Sequence, residues 1–198
     1  MKLQTSHILL FIITSVLTFC KCNFEDLDLR DTERKLTGST AGILLSDVIY
    51  SKEALFKFSD MKQNDRFSLV LKGKSMETAQ ANFTITNSAG KILFSDSFPA
   101  EALINYALLP ENDSINQLDK AYYIKKRANN FFDIKQFSFP AIKDASDFEP
   151  QYSAPDVWET IAQDPAAVGF HYVLHEESGR SIAFDKKNQR TVTYFSCC

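Results

Sequence analysis

The chain has 198 residues, 44% hydrophobic and 24% charged, with 22 Lys and Arg against 25 Asp and Glu for a formal net charge of −3. That modest acidic balance argues against a nucleic-acid binder, which carries a basic footprint, and the mixed composition excludes collagen-like, coiled-coil and low-complexity chains. Seventeen phenylalanines provide ample apolar surface for one core, and no repeat of fixed period is visible.

Met1-Lys2 places a positive charge ahead of an apolar run, Ile8 to Phe19, interrupted only by Thr14, Ser15 and Thr18. A charged start followed by a short apolar stretch predicts a signal peptide over residues 1 to 19. A membrane-spanning helix needs roughly 20 apolar residues, and charge returns too early for that, at Lys21. The segment Leu17-Thr18-Phe19-Cys20 resembles the lipobox of bacterial lipoproteins, in which a branched apolar residue stands three positions before a cysteine that receives a diacylglyceryl group. It departs from that pattern at one place, with Phe19 where lipoboxes usually carry Gly, Ala or Ser. The resemblance covers the signal region only and implies a lipid anchor on Cys20. A second reading stays open, in which Cys20 and Cys22 are the small residues of an ordinary signal-peptidase site and the mature chain starts at Asn23. Lys21 makes Cys22 a poor lipid acceptor.

Residues 20 to 40 are expected to form a polar tether. The stretch "NFEDLDLRDTERKLTGST" is dense in charge, lacks apolar periodicity and ends in Gly and Ser, so it buries too little to offset the entropy of ordering. Its acidic cluster Glu25, Asp26 and Asp28 is similar to the acidic surface-export signals of some bacterial lipoproteins.

Residues 41 to 198 are expected to form a single α+β domain. Ala41 to Ser59 holds two short apolar runs with β-branched and aromatic content that suit strands, with a helix around Glu53 as the alternative. In "RFSLVLKG" Phe67, Leu69 and Leu71 alternate with Ser68, Val70 and Lys72, the period-two mark of a half-buried strand. "NFTIT" and "KILFSDSF" flank Asn87-Ser88-Ala89-Gly90, so residues 81 to 98 read as a hairpin. Pro99 suits the first turn of a helix to about Leu109, ended by Pro110. A longer helix is expected from about Ser114, with Asp113 or Ser114 as cap and Ile115, Leu118, Tyr122, Ala128 and Phe131 near one stripe.

"FFDIKQFSFPAI" reads as an extended edge segment halted by Pro140, and residues 144 to 154 as loop. "SAPDVWETIAQDP" predicts a short helix with Ser153 as its cap. The closing "VGFHYVLHEESGRSIAFDKKNQRTVTYF" reads as three antiparallel strands. Together these elements predict an antiparallel β-sheet of about six or seven strands with two or three helices packed on one face.

Chemistry-bearing residues are few. His171 and His175 have the spacing that on a helix would place both rings on one face, but their context reads as strand. There, residues four apart stand about 13 Å from each other, too far for one ion, and Phe170, Tyr172 and Leu174 take the core side. No metal is expected. Glu176-Glu177 sits in a turn, and Lys125-Lys126-Arg127 reads as a solvated helix face. Cys22, Cys197 and Cys198 are candidate disulfide partners in an oxidising compartment: an acylated Cys20 leaves these three, whereas cutting after Cys22 leaves only the terminal pair. No nucleophile elbow, phosphate loop, zinc motif or dinucleotide fingerprint is present, so neither a catalytic residue nor a cofactor is expected.

The expectation is therefore an exported bacterial envelope lipoprotein, non-catalytic, that binds a protein or envelope component, inhibitor or immunity-type roles included. Its partners would be a membrane, reached through the lipidated N-terminus, and that bound component, with no nucleic acid. It would sit lipid-anchored at the outer membrane, periplasmic or surface-facing. The alternatives are a soluble periplasmic or secreted domain, a periplasmic enzyme with no recognisable motif, and a structural envelope subunit.

Overall fold

A computed structural model describes residues 47–106 and 117–197. The chain divides into two units, Met1–Gly42 and Ile43–Cys198, and all described residues lie in the second.

Four consecutive strands form the first sheet, in the order β1-β2-β3-β4: β1 (Val48–Phe56), β2 (Asp65–Lys72), β3 (Gln80–Thr86) and β4 (Ile92–Pro99), each antiparallel to the next. The alternation read in β2 and β3 is present as buried Phe67, Leu69 and Leu71 beside buried Ala81, Phe83 and Ile85. The register sets Leu69 opposite Phe83 and Phe67 opposite Ile85. The β3–β4 hairpin is closed at Asn87, whose side-chain oxygen accepts from the Ala89 and Lys91 amides while Gly90 adopts a φ of 83°. A side chain there would strain the turn, which is why glycine occupies it.

The second sheet has the order β5-β6-β7-β8, again antiparallel: β5 (Phe137–Ser138), β6 (Gly169–Leu174), β7 (Ser178–Asp185) and β8 (Arg190–Ser196). Here the expected architecture needs correction. There is not one sheet of six or seven strands with helices on one face, but two sheets of four, with a β6–β7–β8 meander as expected and β5 as a two-residue edge before Pro140. The inner face of the first sheet is covered largely by the second. Phe170 and Tyr172 of β6 meet Phe83 with ring centroids 5.5 Å away in each case, and Phe170 meets Phe67 at 5.4 Å. Alternation shows that a strand buries one face; it does not show whether a helix or a sheet covers it.

Two helices are described. In α1 (Gln117–Asn129) Ile124 and Ala128 enter the same core, followed by Phe131 and Phe132. Its expected cap, Asp113 or Ser114, lies outside the described residues. The helix expected after Pro99 is only a 3-10 turn, Ala100–Leu103, after which Ile104 is extended. Of the segment 41–59, Val48–Phe56 forms the strand β1, while 41–46 lie outside the described residues.

The second helix, α2 (Pro155–Ala162), covers the other face of the second sheet. Trp158 and Ile161 pack with Ala183 of β7 and Tyr194 of β8, together with Ala141, Ile142 and Ala167. Both faces of β7 are therefore covered, which explains why Ser181, Ile182, Ala183, Phe184 and Asp185 are all buried. Ile182 and Phe184 belong to the inter-sheet core, Ala183 to the α2 side. No described helix is long and apolar enough to cross a membrane.

Candidate functional site

The recessed surface best suited to binding lies beside α2. Pro155 begins the helix at its first turn, where its missing N–H costs nothing. Ser153, expected as the cap, is displaced from that role: the capping position is Ala154, which offers no side-chain hydrogen bond, and the buried Ser153 hydroxyl has no hydrogen-bond partner. The apolar stripe of α2 is wide. Trp158 and Ile161 face the sheet, while Val157 and Ala162 remain half-buried at its flanks.

Trp158 also holds the preceding loop. Its indole N–H donates to the Ala145 carbonyl at 3.2 Å, and its ring lies 5.8 Å from that of Phe148 and 6.1 Å from that of Tyr194. Asp144 shapes the same loop by accepting from the Ser146 amide and hydroxyl, at 2.9 and 2.7 Å, and these bonds hold its carboxyl below the usual range. Between loop and helix lies a groove of about 420 Å³ lined by Ala145, Phe148, Pro155, Trp158, Ala162 and Glu159, with Gln163 at one end. Its volume falls within the range of small-ligand sites, roughly 300–1,000 Å³, and its walls are mainly apolar, as such sites require.

Several titratable groups elsewhere are held by one another, whereas the exposed His175, Glu176 and Glu177 line a second recess with Tyr106. Glu101 accepts from Lys120 and from the Tyr106 hydroxyl, each at 2.8 Å, and these contacts, the Lys120 bond first, lower its carboxyl pKa. Between the sheets, Asp96 of β4 accepts from the buried Tyr172 hydroxyl at 2.8 Å and from Arg180 at 2.7 Å. Burial, with the Asp96 contact second, pushes the Tyr172 phenol far up. Asp65 is spent on the Phe58 and Ser59 amides, and Asp185 on the turn at Lys187 and Asn188. These are ties within the fold, in which each polar group is matched by a neighbour.

The two histidines have separate fates. His171 points away from the inter-sheet core, half-buried, with Nδ1 3.0 Å from the Ser181 hydroxyl; burial lowers its pKa. His175 lies just past β6, exposed, with a φ of 56°. Among the described residues no three His, Cys, Asp or Glu converge on a point where a metal ion would sit. Of the cysteines singled out, only Cys197 is described: its thiol donates to the Glu177 carbonyl at 3.0 Å. Cys20, Cys22 and Cys198 lie outside the described residues.

Sequence reasoning missed the groove, because one of its walls, Ala145 and Phe148, comes from a loop without periodicity. One signal was available: the chain's single tryptophan sits on a helix whose apolar stripe is wider than one sheet contact needs. The chain matches no protein-family model, no curated protein and no solved structure.

Proposed function

We propose that this chain is an exported bacterial envelope lipoprotein, anchored through Cys20, that binds a protein or another envelope component without catalysis. The observation that carries the binding role is the groove beside α2. It is recessed, mainly apolar and built on a helix packed on a sheet. Apolar walls favour binding because a partner's apolar side chain leaves water on entering them. The anchor rests on the lipobox-like segment, and several buried acyl chains at about 0.8 kcal/mol per methylene hold a protein at a membrane where one chain does not.

The groove is tested with the neutral apolar fluorophore N-phenyl-1-naphthylamine. Trp158 lines the groove and is the only tryptophan, so energy transfer from it follows probe binding, and a substitution inside the groove assigns the signal to this site. The expected result is saturable transfer, reduced severalfold in the variant Ala162→Leu, which adds volume inside the groove. Absence of saturable transfer up to the solubility limit of the probe would remove the groove as a binding site.

A further inference from the structure

From Asp144 to Asp164 the chain carries six carboxylates, Asp144, Asp147, Glu149, Asp156, Glu159 and Asp164, and no lysine or arginine. This is the stretch that builds the groove. Ala145 follows Asp144, Phe148 stands between Asp147 and Glu149, Pro155 precedes Asp156, and Glu159 itself lines the wall. Asp164 is neutralised by Lys186 at 2.8 Å, but among the described residues none of the other five has an ion pair. All five are exposed. Lys143, exposed, stands immediately before the stretch, so one cation adjoins these five carboxylates, whereas elsewhere Lys120 and Arg180 are each placed on a carboxylate of the fold.

We infer that the groove takes a cationic segment of another protein, one that lays an apolar side chain into the groove against Phe148 and Trp158 while flanking lysines or arginines meet the carboxylates beside it. The inference deepens the binding role proposed above and rests on it. The physical division of labour is that of many protein interfaces: a small desolvated aromatic centre supplies most of the binding energy, and a rim of charge selects the partner and speeds encounter. An apolar slot alone would accept any hydrophobic residue. Glu159 in its wall and the excess of exposed carboxylates on the segments that build it repel acidic and favour basic sequences.

Four hexapeptides, blocked at both ends, separate the two components. Lys-Lys-Leu-Phe-Lys-Lys has both the charge and the apolar centre; Ser-Ser-Leu-Phe-Ser-Ser has only the centre; Glu-Glu-Leu-Phe-Glu-Glu reverses the charge; Lys-Lys-Gly-Ser-Lys-Lys keeps the charge without the centre. Each is titrated into the full chain while Trp158 fluorescence is followed, at low salt and at 0.5 M salt. The expected result is saturable binding of the first peptide, about tenfold tighter than the second at low salt, and an advantage that shrinks at high salt as the rim is screened. The third and fourth should bind more weakly than the second and the first respectively, and Glu159→Lys should reduce the preference for the lysine peptide. Equal binding of the first three peptides would overturn the inference while leaving the groove as a binding site. Equal binding of the first and fourth would also overturn it, because the groove would then contribute nothing. No binding by any of them at millimolar concentration would overturn both the inference and the role of the groove.

Discussion

The aromatic core and its polar tie show how single residues bind the two sheets. Phe83 is fully buried and its ring lies against Phe67, Phe94, Phe131, Phe132, Phe170 and Tyr172. The tie at the edge of this core is the triad Asp96, Tyr172 and Arg180. Replacing Asp96 by alanine leaves a buried phenol without its acceptor, at a cost of about 1–3 kcal/mol. Urea unfolding should record that loss, and the loss should fall sharply when Tyr172→Phe is already present, since the orphaned hydroxyl is then gone. Additive effects of the two substitutions would contradict this reading.

His171 gives a pH dependence with a definite sign. Burial lowers its folded-state pKa below the unfolded value of about 6.5. Above that pH both states hold a neutral ring and nothing changes. Below it the unfolded chain takes up the proton first, so stability falls as the solution is acidified from pH 7 towards 5. The variant His171→Gln keeps a polar partner for Ser181 and should flatten this part of the profile. An identical slope in the two proteins would show that another group titrates.

At the scale of elements, α2 is the helix that makes the groove, and its N-terminus is weakly capped. Ala154→Asp would supply the missing acceptor and place a negative charge at the positive end of the helix. The expected gain is about 1 kcal/mol, read as a higher urea midpoint with an unchanged slope. A destabilised variant would mean that the capping position is not where the backbone places it.

Strands β2, β3, β6, β7 and β8 were legible because alternation and turn residues are local signals. The cap was misread because Pro155, not Ser153, fixes where the helix starts: proline takes the first helical position and leaves Ala154 before it. The helix expected after Pro99 was overestimated for a similar reason. Pro99 and Ala100 suit a helical start, yet Ile104 turns extended and buries its side chain in the core, so tertiary packing overrides local propensity.

For the molecule as a whole, the sequence carried the α+β class and the antiparallel pairing but not the division into two sheets. That division depends on contacts between residues far apart in sequence, such as Phe67 with Phe170, and no periodicity records them. The groove was hidden for the same reason, since Ala145 and Phe148 reach Trp158 only through the fold. The N-terminal reading is of another kind: it depends on the local order of a charge, an apolar run and Cys20. The measurement that bears most directly on the proposed role is the intact mass of the protein produced in a bacterial host and extracted from its membranes, alongside a Cys20→Ala variant. The account predicts a chain beginning at residue 20 with added lipid mass, and loss of both the added mass and the membrane association in the variant. A soluble chain beginning at Asn23 with no added mass would contradict it.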